Sequence, residues 1–172
     1  MNNDTCILLI GEGGIPSDFP KNELSKFLNL KSKIDANLEL SSEEITLYED
    51  LDNKIKKWKR NFRNDEYFHS LIDLQNLIFL KSKIKTSIAF LNYCEPDIYQ
   101  AIGSLIDKGF KKIILISSNL ILNKEYELKL NDFLNFIKIK YKDVSIINFI
   151  YLDFDFISNF FTSLIKEALN DK

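Results

Sequence analysis

The residues best placed for chemistry cluster in one short turn. Cys6-Ile-Leu-Leu-Ile10 is a continuous apolar run that stops at Gly11-Glu12-Gly13-Gly14, and three of the chain's five glycines fall in that turn. A glutamate between glycines at a strand end has little side-chain packing to do, and its carboxylate can serve as a metal ligand or a proton acceptor. The flanking glycines would let a flat ligand approach the backbone closely. Glu12 is therefore either a site residue or a solvated turn residue left after loss of function. The turn is not a nucleotide loop. It lacks Gly-x-Gly-x-x-Gly spacing and any Gly-Lys-Ser/Thr, and Glu12 would repel phosphate.

Other groups carry weaker signals. Lys54, Lys56, Lys57, Lys59, Arg60 and Arg63 surround Trp58, the chain's single tryptophan. They form either the solvated face of an amphipathic helix or a docking surface for a carboxylate-rich ligand. His69, the only histidine, reads as a surface or interface residue. Cys6 and Cys94 are the only thiols. One opens a strand and the other lies past the end of a parallel neighbour, on the order of 10 Å apart along the strands and beyond disulfide reach. Two reduced cysteines imply a cytoplasmic protein.

The elements that must position these residues follow from periodicity. Continuous hydrophobicity in 6–10 suits a strand covered on both faces. Pro16 and Pro20 delay helix until about Lys21, and a helix over 21–34 turns Leu24, Phe27, Leu28 and Leu30 inward. Residues 42–62 carry Tyr48, Leu51, Ile55, Trp58 and Phe62 at steps of three and four, one apolar stripe to be buried against the next helix or another subunit. Ser41-Ser-Glu-Glu44 caps it. A third helix runs over 65–81, burying Phe68, Leu71, Ile72, Leu74 and Ile78. From residue 86 the alternation is plain: strand 87–91, helix 96–108 opened by Pro96 and closed by Gly109, strand 112–117, helix 124–141, strand 144–150, and helix 155–169 with Ile157, Phe160, Phe161, Leu164, Ile165, Ala168 and Leu169 at the 3.6 period.

The pattern is α/β: a four-stranded parallel sheet with helices on both faces, in one domain over 1–172, with residues 35–82 as a helical insertion in the first crossover. Hydrophobic residues at 45%, charged residues at 28% and a net charge of −2 describe an ordinary globular chain and argue against nucleic acid as a partner. No apolar run approaches the ~20 residues that would cross a membrane, and the start of the chain has no basic region of the signal-peptide kind.

Parallel sheets bind ligands beyond the carboxyl ends of their strands, which directs attention to Gly11–Gly14, Asn92–Pro96, Ser117–Glu127 and Tyr151–Asp155. Together these segments resemble the sirohydrochlorin chelatases, ATP-independent tetrapyrrole chelatases related to ferrochelatase and anaerobic cobaltochelatase. The resemblance runs through Ile7-Leu-Leu-Ile-Gly-Glu-Gly-Gly14, Ile15-Pro-Ser-Asp-Phe-Pro20, the charged insertion with Trp58 and Arg63-Asn-Asp-Glu-Tyr67. It continues through Ala89-Phe-Leu-Asn-Tyr-Cys-Glu-Pro-Asp-Ile98 and Leu105-Ile-Asp-Lys-Gly-Phe-Lys-Lys-Ile-Ile-Leu-Ile116. It spans nearly the whole chain and rests on order and spacing. Where the family keeps two metal-handling histidines, this chain aligns Glu12 and Glu125, and Asn92 aligns with an acidic family position.

The resemblance implies insertion of a divalent metal into sirohydrochlorin or a related tetrapyrrole. The metal is a substrate (cobalt, iron or nickel in the family), and no organic cofactor is implied. Insertion needs a group that positions the cation and a base that takes the pyrrole protons. On this reading Glu12 and Glu125 are the catalytic and metal-binding pair, with Gly11, Gly13, Gly14 and Asn92 holding the macrocycle. Two facing carboxylates would push one another's pKa apart, leaving one ligand and one base, and would favour harder cations such as magnesium, manganese or ferrous iron. Cys94 reads as an inert buried thiol. Glu125 and Glu127 also have a plainer explanation, since acids are favoured in a helix's first turn. The alternative is a non-catalytic relative that binds a tetrapyrrole or metal, or regulates a partner chelatase.

Overall fold

The computed structural model describes residues 4–119, 124–149 and 154–170. Its elements in chain order are β1 (Thr5–Gly11), α1 (Lys21–Asp35), α2 (Ser42–Lys56), α3 (Glu66–Ser82), β2 (Lys85–Phe90), α4 (Ile98–Asp107), β3 (Lys112–Ser117), α5 (Lys124–Lys140), β4 (Ser145–Phe149) and α6 (Phe154–Asn170). The four strands form one parallel sheet in the order β2-β1-β3-β4. The fold is thus the α/β arrangement that the alternation predicts. No helix among the described residues is long and apolar enough to cross a membrane.

Alternation along β1 divides the core between the two faces of the sheet. Cys6, Leu8 and Ile10 join Ile113 and Leu115 of β3, and α4 and α5 cover them through Ala101, Ile102, Leu105, Leu130, Phe133 and Ile137. On the opposite face Leu9 packs with Phe90, Cys94 and Leu71 of α3. The expected insertion therefore divides in two. Its second helix, α3, covers the sheet, whereas α2 pairs with α1 around Phe19, Phe27, Leu51 and Ile55.

Of the stripe, Tyr48, Leu51, Ile55 and Trp58 pack on α1 and the Phe19 turn, not on α3, whereas the Phe62 ring lies beside His69 of α3. Leu51 and Ile55 are buried, Tyr48 and Trp58 are half-buried, and Phe62 is 65% exposed. Phe62 departs from the stripe because α2 ends at Lys56. Arg60 enforces that ending: Nη1 donates to the carbonyls of Lys56 (3.1 Å) and Trp58 (3.2 Å), which satisfies carbonyls that a continued helix would have used. Trp58 Nε1 donates to Asp18 Oδ1 at 2.9 Å, so the indole is anchored to the loop before α1.

Arg60 is also not the surface cation that the basic run suggests. Its side chain is 5% exposed and forms an ion pair with Asp65, itself 4% exposed, at 2.8 Å. Nη2 donates to the carbonyls of Gly14 (3.1 Å) and Tyr93. Asp65 divides its carboxylate, one oxygen toward Arg60 and the other accepting from Phe68 N at 2.9 Å as the N-cap of α3. Two of the lysines are likewise paired within the chain, Lys54 with Glu23 and Lys56 with Asp52, each at 2.6 Å.

Smaller corrections have local causes. Helix α4 begins at Ile98 and not at Pro96, because Asp97 and Gln100 form a reciprocal capping box. Leu28 and Leu74 are exposed, as the faces of α1 and α3 that carry them turn from their partners. In α6 only Ile157 is buried, while Phe160, Phe161, Leu164, Ile165 and Leu169 are exposed. Both cysteines are free and buried, as expected.

Removing Arg60 would leave Asp65 charged, buried and unpaired. Arg60→Ala should therefore lower unfolding free energy by about 3–5 kcal/mol, read from urea midpoints at constant slope. A loss under about 1 kcal/mol would mean that the pair is solvated like a surface bridge. Burial pushes the Cys6 thiol from its ordinary 9.0 up to about 11. The folded form keeps its proton where the unfolded chain has lost it, so this contribution is complete below pH 9 and is lost as pH rises through 11. Stability should decline over that window more steeply in the wild type than in Cys6→Ala.

Candidate functional site

Register brings the candidate residues to one end of the sheet. Gly11 stands beside Phe90 of β2, and Ile10 beside Ser117 of β3. The ladders run slightly further: Leu91 N donates to Gly11 O (3.0 Å), Asn92 N to Glu12 O (2.9 Å) and Ser118 N to Ile10 O (2.9 Å). Glu12, Asn92 and Ser118 thus emerge together at the carboxyl ends of three adjacent strands.

Two tyrosines fix Glu12. Its backbone N–H donates to the Tyr67 hydroxyl at 3.0 Å, and that hydroxyl is 3.0 Å from Ser118 Oγ. Its carboxylate accepts from the Tyr126 hydroxyl. Tyr126 is 8% exposed in the first turn of α5, beside Glu125. Burial, the hydrogen bond to Glu12, and the charges of Glu12 and then Glu125 push its phenol well above the ordinary 10.0, against a smaller lowering by the Asn92 side chain. Tyr126 is consequently a neutral donor across the working pH range. Glu125, the residue before Tyr126 in the chain, thus adds to the upward push on the phenol that bonds Glu12.

Glu125 has its own partner. Its side chain is 58% exposed and pairs with Lys129 one helical turn later at 2.9 Å. The Lys129 ammonium also donates to Asn92 Oδ1 at 2.7 Å. Asn92 is therefore held at both its main chain and its amide. Beside this cluster lies a cavity of about 270 Å³ lined by Asn92, Lys129, Lys56, Cys94, Tyr99 and Asp132, among others. Among the described residues no group of three or more His, Cys, Asp or Glu is arranged to hold a metal ion.

The glycines serve the chain's own packing. A Cβ on Gly13 would lie 2.0 Å from the Asn92 carbonyl oxygen, and Gly13 has φ +82°. A Cβ on Gly11 would meet Leu71 Cδ2 at 2.6 Å and the Tyr67 hydroxyl at 3.1 Å. The loop after β2 and helix α3 thus occupy the space over these two positions, and of the three turn glycines only Gly14 has room for a Cβ at ordinary contact distance.

Sequence reasoning assigned no role to Tyr67, Tyr126, Lys129 or Ser118. Two of them left a trace. Glu125 and Lys129 have the Glu-to-Lys i,i+4 spacing of a helix pair, and Tyr67 ends the quoted Arg63–Tyr67 motif. Tyr126 left none, since only the fold turns it inward. His69, placed at a surface or interface, is partly buried between Phe62 and Phe68, and its Nε2 is enclosed without a hydrogen-bond partner among the described residues. The strand-end segment 151–153 and the loop 120–123 lie outside the described residues.

No family model matches this chain, and a search of curated proteins also finds no match.

Two results should follow from the geometry. Gly13→Ala should destabilise by at least roughly 1–3 kcal/mol from the left-handed φ alone, with the Asn92 clash added, whereas Gly14→Ala should cost less. In a spectrophotometric tyrosine titration, Tyr126 should ionise last, after Tyr48, Tyr93 and Tyr99, which burial also raises, and Tyr126→Phe should remove that last step. A last step unchanged in Tyr126→Phe would contradict the environment described.

Proposed function

We propose that the chain is a chelatase-like protein that takes sirohydrochlorin or a related tetrapyrrole at its strand-end cleft and inserts a divalent metal without ATP. The observation that carries this reading is the fixed Glu12 at the end of β1, its backbone N–H on the Tyr67 hydroxyl and its carboxylate accepting from Tyr126. Metal insertion needs a base that meets the pyrrole N–H groups, and a pre-oriented carboxylate supplies one. Tyr126 orients that carboxylate and remains protonated, so the base in the pair is Glu12. The ammonium of Lys129, at the cleft's side, suits the carboxylate periphery of such a macrocycle. The free, buried thiols accord with a reducing, cytoplasmic setting.

One observation favours the second reading, a relative that binds a tetrapyrrole without inserting metal. The Lys129 ammonium lies 2.9 Å from Glu125 and would oppose a divalent cation there, which leaves Glu12 as the principal candidate ligand. The two readings separate in a visible-spectrum assay of added sirohydrochlorin with cobalt, ferrous iron, nickel, magnesium or manganese. The leading reading expects metal-dependent spectral change catalysed by the wild type. It expects a loss of at least about 100-fold in Glu12→Gln, the scale of a general base, with the fold unchanged. It also expects the Glu12→His, Glu125→His double variant to shift preference toward cobalt or nickel. An inactive wild type beside an active double variant would overturn catalysis. A wild type that shifts the macrocycle's spectrum on binding yet leaves it metal-free would establish the second reading.

A further inference from the structure

The amino-terminal end of the sheet carries a charge that the chain's net −2 conceals. Residues 4–6 and the connections 79–86, 105–112 and 137–145 meet there. The ladders hold them together, with Cys6 beside Lys85, Thr5 beside Lys112, and Lys112 beside Ser145. Each of the three connections holds three lysines, and the only acids in the four segments are Asp4, Asp107 and Asp143. This end therefore has a surplus of six positive charges, and the rest of the chain a surplus of eight negative ones. Eight of the nine lysines are exposed and Lys112 is half-buried. None of them forms an ion pair among the described residues, whereas Lys31, Lys33, Lys54, Lys56, Lys129 and Arg60 all do. The helix dipole favours lysine in a last turn and accounts for Lys81, Lys138 and Lys140. Lys85, Lys111, Lys112 and Lys142 lie outside the helices and owe nothing to it.

We infer that this end docks on the surface of an anionic lipid bilayer, with the strand-end cleft facing away from the lipid. Charge complementarity requires a polyanion, and the side chains among the lysines select which one. Leu77 and Leu80, near the end of α3, are 53% and 57% exposed. Ile139, between Lys138 and Lys140 at the end of α5, is 75% exposed. Helices α3 and α5 cover opposite faces of the sheet, so these aliphatic tips flank the lysines on both sides. On a bilayer the ammonium groups meet lipid phosphates while the tips leave water at the boundary between headgroups and acyl chains. A nucleic acid has no such boundary, and aliphatic tips give its bases no plane to stack on. The lysines also span three neighbouring connections, a breadth that suits an extended surface and not a single small anion.

The test is flotation of the full chain with vesicles of mixed phosphatidylcholine and phosphatidylglycerol, beside vesicles of phosphatidylcholine alone. The wild type should float with the mixed vesicles only, and less so in about 1 M salt, where the screening length is ~3 Å. Lys81→Gln/Lys111→Gln/Lys142→Gln takes one exposed lysine from each connection. Its partition coefficient should fall about 100-fold, at roughly five-fold for each lysine near the surface. Lys26→Gln/Lys57→Gln/Lys59→Gln makes the same change of charge at exposed positions elsewhere and should bind like the wild type. Leu80→Ser/Ile139→Ser should weaken binding to vesicles and leave binding to heparin, a soluble polyanion, unchanged. All these positions are exposed, so each variant should keep the wild-type circular dichroism. Absence of binding to the mixed vesicles, equal binding to phosphatidylcholine alone, or equal losses in the two triple variants would overturn the inference. So would vesicle binding indifferent to the Leu80 and Ile139 changes, or tighter binding to duplex DNA than to vesicles at the same salt.

Discussion

The guanidinium of Arg60 ties two helix ends, which no strand ladder reaches, to the segments that follow β1 and β2. It stops α2, receives the N-cap carboxylate of α3, and holds the carbonyls of Gly14 after β1 and Tyr93 after β2. Burying a full charge is costly unless its donors are satisfied, and here Nε and both terminal nitrogens have oxygen partners. Only a planar fork reaches so many acceptors at fixed angles, so lysine could not substitute. Tyr93 sits at φ 53°, an uncommon setting for a bulky residue, and its carbonyl is one of these acceptors. The accessory helices and the strand ends are thus one mechanical unit.

That unit fixes the glycine turn. Gly14 is held by Arg60, Gly13 is packed under the Asn92 carbonyl, and Gly11 lies against Leu71 and Tyr67. Glu12 stands between them with its amide, its carbonyl and its carboxylate all engaged. A carboxylate on a freely moving turn would lose orientational entropy each time it acted. One held this way has that cost met during folding. The helix pair α1–α2 looks peripheral to the sheet, yet through Arg60 it sets the position of the residue with the strongest claim to chemistry.

Much of this was readable in the sequence, and the parts that were not have physical reasons. Continuous apolar runs at 6–10 and 113–116, closed by glycine or polar turns, announced a parallel sheet, and parallel sheets announce where ligands bind. Glu12 was found because two glycines flank it. The glycines themselves suggested room for a ligand, whereas they admit Asn92, Leu71 and Tyr67, since sequence does not say what fills the space a missing side chain leaves. Arg60 looked like one cation among six. Its burial depends on Asp65, Gly14 and Tyr93 converging, a tertiary fact with no local signature. Tyr126 is hidden for the same reason. Phe62 continued a helical period past the point where Arg60 ends the helix, and Phe160 and Leu164 follow an inward period on a helix whose apolar face the described residues leave exposed.

The proposed function stands on a tetrapyrrole seating against Glu12 at the strand ends. A crystal structure of the protein with sirohydrochlorin bound is the decisive measurement. The macrocycle is expected at the Gly11–Gly14 turn, its pyrrole nitrogens toward the Glu12 carboxylate and an acidic side arm at Lys129. A macrocycle bound elsewhere on the protein, with Glu12 and Tyr126 still closed on one another and untouched, would contradict it.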